Sequence, residues 1–108
     1  MQGVGAAWLM VSFGAGPMYV ALTQTASAFV HVMRHYEHVR RRDGASRWEL
    51  YRDTEVARRY LETFVVGSWA EHLRQHERLT QSDRKLEDHF RTLVRGEPKA
   101  QHFIDARL

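Results

Sequence analysis

From Ala26 onward Phe29, Val32, Met33, Tyr36 and Val39 recur at helical spacing, with histidines and arginines between them. That is the pattern of a helix with one buried face. Upstream, Met18–Gln24 (MYVALTQ) follows the breaker pair Gly16-Pro17 and is rich in strand formers, which predicts a first strand. Thr25 or Ser27 is placed to cap the helix, and Asp43-Gly44 to end it, since glycine takes the left-handed turn common after a last helical turn. Ser46–Asp53 then alternates, Trp48 and Leu50 against Glu49 and Tyr51. Arg59–Val66 alternates as well, with Tyr60, Glu62, Phe64 and Val66 on one face and Leu61, Thr63 and Val65 on the other. Apolar residues on both faces place this strand in the middle of a sheet, and the segment from Asp53 to Arg58 is a loose turn rather than a tight hairpin.

A second helical region opens at Ser68, where Ser68-Trp69-Ala70-Glu71 fits a capping box and Trp69, Leu73 and His76 share a face. A fresh start follows at Thr80 to Ser82, with Leu86, Phe90, Leu93 and Val94 as its apolar stripe. Gly96 stops it, Pro98 prevents resumption, and Ala100–Ile104 reads as a last short strand. The order βαββαβ defines an α+β chain of ferredoxin-like type, a four-stranded sheet with its helices on one face. The other face then needs cover, and Trp48, Tyr60, Phe64 and Phe103 are assigned to it. The expectation is a homodimer through the sheet face, closing a dimeric α/β barrel.

Composition narrows the function classes. A chain of 108 residues with 44% apolar and 27% charged residues is one folded domain rather than a disordered tract. The absence of cysteine excludes disulfides, a thiolate nucleophile and cysteine-ligated metal. Lys+Arg exceed Asp+Glu by 16 to 13, a net charge of only +3. The single dense basic run, Arg40 to Arg42, is closed at once by Asp43 and reads as a solvated helix end that complements the helix dipole. No broad basic face interleaved with aromatics is present, so nucleic acid is not an expected partner. No Asp, Glu, Lys or Arg precedes Arg34, and Gly3 to Leu22 is nearly all apolar or small. Four glycines dilute that stretch, Pro17 interrupts it, and no positive charge opens it as a secretory signal requires. Residues 1–16 are therefore expected to be a linker or remnant segment, and 17–108 the domain.

Val39–Asp53 (VRRRDGASRWELYRD), Leu61–Asp83 (LETFVVGSWAEHLRQHERLTQSD) and the continuation through Leu86–His102 resemble the C-terminal soluble domain of a bacterial major-facilitator efflux family, the transmembrane secretion effectors, similar to enterobactin exporters. RRRDGA, ETF and SWAEHLRQHER are specific when taken together, and the resemblance spans roughly residues 17 to 105. It implies a domain of the antibiotic-biosynthesis-monooxygenase-like superfamily, dimeric and ferredoxin-like. It also implies a cytoplasmic location, at the cytoplasmic face of the inner membrane, with a membrane transporter domain as partner. The chain has no room for a dozen spans, and its first strand lacks the charges the family shows there, which leaves the register of that strand open.

Histidine is the richest chemical lead, with seven in the chain. His72 and His76 lie four apart on one helical face, as two metal ligands must, and His31, His35 and His38 are spaced similarly. No HExxH carboxylate accompanies them and no third ligand is set by spacing, so no metal is expected. Trp69 followed by His72 and His76 is similar to the tryptophan-histidine pattern of the superfamily's cofactor-free monooxygenases and haem-degrading members. The resemblance implies a ligand pocket lined by Trp48, Phe64 and Trp69, with His72 or His76 as its polar, catalytic group. The plain alternative is that Trp69 packs in the core and the histidines are solvated. The GVGAAW start lacks a preceding strand and fails the dinucleotide test; Asp53 and Glu55 are expected to be solvated loop carboxylates. Two functions follow. One is a non-catalytic accessory domain, dimerising or sensing a small molecule for an efflux transporter, without a cofactor. The other is a stand-alone cofactor-free monooxygenase or haem-degrading enzyme.

Overall fold

The structure, a computed structural model, describes residues 11–67, 80–104 and 106–107. Its elements are β1 (Val11–Ala15), β2 (Met18–Val20), α1 (Ala26–Arg42), β3 (Ala45–Arg52), β4 (Arg59–Val66), α2 (Gln81–Leu93), β5 (Val94–Arg95) and β6 (Ala100–Ile104). β4 is central: β3 pairs along one edge, and β1 and β2 pair in succession along the other, all antiparallel. β6 pairs with β1 and β5 with β2 on the outside. β1 and β2 thus act as one strand bent at Gly16-Pro17, and β5 and β6 as one outer strand bent at Gly96 to Pro98. The sheet reduces to four strands in the ferredoxin-like order, as expected.

The first strand differs from its prediction. Only Met18–Val20 of Met18–Gln24 is strand; the chain then turns, the Gln24 N–H donating to the Ala21 carbonyl at 3.0 Å. Val11–Ala15, assigned to the linker by its glycines, instead satisfies backbone groups of β4 and β6 on either side of it. The sheet therefore reaches back to Val11. At the bend the Gly16 N–H donates to the Lys99 carbonyl, and a Cβ at Gly16 would sit 3.2 Å from that oxygen, so glycine allows the two bends to touch. The predicted capping box at Ser68 to Glu71, with Trp69, Leu73 and His76, lies outside the described residues.

The helix boundaries follow local chemistry. Thr25, one of the two candidate caps, accepts from the Ala28 N–H at 3.0 Å, and Gly44 leaves α1 at φ 104°. α2 starts with a reciprocal capping box: Thr80 Oγ1 accepts from the Asp83 N–H at 3.0 Å, and Asp83 Oδ2 accepts from the Thr80 N–H at 3.2 Å. The loose β3–β4 turn is tied at both ends. Asp53 Oδ1 accepts from the Glu55 and Val56 N–H groups at 2.7 and 2.9 Å, so Asp53 is a turn-forming residue rather than merely a solvated carboxylate. Arg58, at φ 66°, donates through its guanidinium to the Gln24 carbonyl at 2.8 Å and the Ala21 carbonyl at 3.2 Å.

The core lies between α1 and the sheet: Phe29, Met33, Met18, Val20, Tyr60 and Val94 are buried together. Full burial of such side chains contributes about 1.5–3 kcal/mol each. The Phe29 and Tyr60 rings are 4.7 Å apart. Cross-strand register puts Trp48 beside Phe64, Leu50 beside Glu62 and Arg52 beside Tyr60 on this helix-facing side. This corrects the assignment of Trp48, Tyr60 and Phe64 to the dimer face. β4 carries apolar residues on both faces, so alternation alone leaves the choice of face open; α1 docks on the row that contains Glu62. Phe103 does share the second face, in register through Ser12 with Val65.

Candidate functional site

At the centre of the helix-facing row stands a carboxylate. Glu62 is 2% exposed and flanked in β4 by Tyr60 and Phe64. α1 delivers Arg40 to it: Nε donates to Glu62 Oε2 at 3.1 Å and Nη2 to Oε1 at 3.2 Å. From β3, Trp48 Nε1 donates to Oε2 at 2.7 Å. The guanidinium also lies over two rings, with Cζ 5.0 Å from the Tyr36 centroid and 4.6 Å from that of Phe64. Phe90 of α2 closes the cluster edge-on to Tyr36, at 5.4 Å. A buried carboxylate is tolerated only when paired and hydrogen-bonded, and here three donors meet two oxygens.

Chemically, this centre keeps the Tyr36 phenol protonated. Burial pushes the Tyr36 phenol up to about 12, with Arg40 acting in the opposite sense. Near neutral pH it therefore presents a neutral phenol, a closed ion pair, and aromatic faces. Glu62, with both oxygens engaged, positions Trp48 and α1 rather than standing ready as a free base.

Of the basic run expected as a solvated helix end, Arg41 and Arg42 are exposed in the last turn of α1, whereas Arg40 is half-buried. Arg40 points inward, and Arg41 donates to Glu37 at 3.1 Å. Arg42 forks between Asp43, at 2.9 Å, and Asp83, at 2.9 Å. Arg42 holds the Asp83 carboxyl below the usual carboxylate range, and Asp83 in turn caps α2, so one residue locks the two helices together. Three consecutive arginines leave a helix in three directions, so adjacency in sequence does not make a patch.

Of the predicted pocket residues, Trp48 and Phe64 are brought together as cross-strand neighbours beside Glu62. Trp69, His72 and His76 lie outside the described residues. Arg40, Tyr36 and Glu62 were missed as site residues. The available signal was a carboxylate in the row Tyr60, Glu62, Phe64, Val66, which demands a buried cation.

Among the described residues, grooves flank α1 on two sides. One, of about 540 Å³, runs between α1 and α2 and is lined by His31, His35, His38 and His89. The His31 and His35 rings are 5.1 Å apart, yet among the described residues no three His, Asp or Glu side chains are placed to hold a metal. The other, of about 620 Å³, runs between α1 and β3. Among the described residues no helix is long and apolar enough to cross a membrane.

A ferredoxin-like sheet with its helices on one face and an aromatic, polar-centred layer between them defines a small α+β domain. The chain belongs to the transmembrane secretion effector family, whose model matches residues 24–107. No curated protein matches the sequence. Among solved structures it is similar to SnoaB, a cofactor-independent oxygenase from Streptomyces nogalater, at a TM-score of 0.75 and 16% identity over 93% of this chain and 96% of that one. A conserved protein from Methanosarcina mazei superposes at 0.74, with 9% identity over 94% and 98% of the two chains. A candidate antibiotic biosynthesis monooxygenase from Caulobacter crescentus superposes at 0.72, with 12% identity over 98% and 99%. At these identities the likeness is one of fold.

Proposed function

We propose that this chain is a non-catalytic accessory domain that dimerises and senses a small molecule for a bacterial major-facilitator efflux protein, at the cytoplasmic face of the inner membrane. Family membership across residues 24–107 is the observation that carries this reading. The engagement of both Glu62 oxygens supports binding over acid–base catalysis, because the central carboxylate is already committed. Dimerisation draws support from the second sheet face, where Tyr51 and Phe103 are 51% and 57% exposed beside half-buried Leu61 and Val65.

A second reading, a stand-alone cofactor-free or haem-degrading oxygenase, draws on the likeness to SnoaB. In that case Trp48 and Phe64 would line the pocket with Trp69, and His72 or His76 would move the proton. An oxygen electrode separates the two. With a panel of electron-rich phenols, the accessory reading expects oxygen uptake no faster than without protein. Uptake proportional to protein concentration overturns it in favour of the oxygenase, and a Soret shift on adding haem does so in favour of the haem enzyme.

A further inference from the structure

We propose that the groove between α1 and β3 binds a small aromatic carboxylate. This rests on the small-molecule-sensing reading and names the ligand class. The floor is aromatic and aliphatic: Trp48, Leu50 and Tyr60 from the sheet, with Val30 of α1, itself 36% exposed, as one wall. Its volume of about 620 Å³ is within the range of small-molecule sites. Arg34 stands on the α1 side and Arg52 on the β3 side.

The state of those two arginines carries the argument. Arg40, Arg41, Arg42, Arg47, Arg58 and Arg59 each engage an oxygen of a neighbouring residue. Arg52 engages none among the described residues. Arg34 has only a 3.6 Å contact to Glu37, whose other oxygen accepts from Arg41 at 3.1 Å. The one carboxylate on the groove, Glu49, is matched by Arg47 at 3.4 Å. Among the described residues the groove thus carries one unpaired cation, Arg52, and one loosely paired cation, Arg34, beside an aromatic surface. A planar ring rests against the half-buried Trp48 and Leu50 while its carboxylate takes a guanidinium fork; a neutral ring lacks the second contact and a small anion the first. Because the Trp48 indole also donates to Glu62, a ligand lying on it bears on the Arg40 connection to α1.

The test is a titration followed by the indole N–H signals in nitrogen–proton spectra. There are three tryptophans, and the Trp48 signal is the one lost in Trp48→Phe. Benzoate, benzamide and acetate are the probes. Benzoate is expected to shift the Trp48 signal saturably, with benzamide and acetate at least about tenfold weaker, the scale of a charge-assisted hydrogen bond. Arg52→Gln and Arg34→Gln, both at exposed positions, should each weaken benzoate by about fivefold or more. Benzamide binding as well as benzoate overturns the anionic class while leaving a small-molecule site intact. Acetate binding as well as benzoate overturns the aromatic requirement. Unchanged benzoate affinity in both arginine variants overturns the assignment to this groove. No shift with either aromatic overturns the proposal and removes the site from the sensing reading.

Discussion

Arg40 and Glu62 face each other across the α1–sheet interface in a two-pronged ion pair, the carboxylate 2% and the guanidinium side chain 30% exposed. The pair does what an apolar contact cannot: it fixes which turn of α1 lies over which residue of β4, because each prong has a direction. Trp48 adds the edge strand to the same oxygen.

Removing one partner should therefore cost far more than removing both. Arg40→Ala leaves a buried carboxylate uncompensated and is expected to lose about 3–5 kcal/mol. The double variant Arg40→Met with Glu62→Leu should recover most of that loss, and urea unfolding of the single and double variants measures the difference. Equal losses in both would mean that the pair is peripheral to stability.

Acid should loosen the helix pair. Arg42 lowers the Asp83 carboxyl, so the folded pKa lies below the unfolded one. The resulting stabilisation is complete above the ordinary carboxylate range and is lost as pH falls through the folded value. Urea midpoints measured from pH 5 down to pH 2 (about the range of carboxylate titration) should fall in the native chain. Asp83→Asn should fall less steeply, after an initial loss of about 1 kcal/mol from the weakened cap.

Alkali acts on Tyr36 in the opposite direction. Its phenol is raised to about 12 by burial, so the folded state binds a proton that the unfolded chain releases from about pH 10. Stability should decline between those values. A tyrosinate absorbance titration should show a late component near pH 12 that disappears in Tyr36→Phe.

The β3–β4 turn gives a backbone test. Arg58 holds a left-handed conformation, φ 66°, while donating to the Ala21 and Gln24 carbonyls. Arg58→Ala loses the hydrogen bonds and keeps the strained backbone; Arg58→Gly loses the bonds and relieves the strain. Thermal unfolding should find the glycine variant more stable than the alanine variant by about 1 kcal/mol.

If the second sheet face joins two copies, light scattering should give about twice 12.7 kDa. Phe103→Asp should then bring the mass back to that of one chain, since a carboxylate at the centre of an apolar contact lacks a partner. A single-chain mass for the native protein at micromolar concentration would refute the interface.

Periodicity determined much by itself. The stripe Phe29, Val32 and Met33, the alternation in β3 and β4, the caps at Thr25 and Thr80 and the stop at Gly44 all act within a few residues, and the observed elements follow them. The predicted stop at Gly96 comes too late: α2 ends at Leu93, and Val94, read as part of its stripe, pairs with β2 as strand β5. With the βαββαβ order they were enough for the ferredoxin-like topology. Three features needed the tertiary structure. β1 is a strand because β4 and β6 offer it hydrogen-bonding partners, although its glycines read locally as linker. The helix-facing row of β4 is the one with Glu62, because Arg40 and Trp48 arrive from two other elements to compensate the charge. The arginine run disperses because helical geometry sends neighbours in different directions, one inward, one along α1 and one to α2. Local pattern records which backbone conformation a segment prefers; which groups meet across the core depends on residues 22 and 41 positions apart in the chain, and a pattern read in short windows does not contain that information.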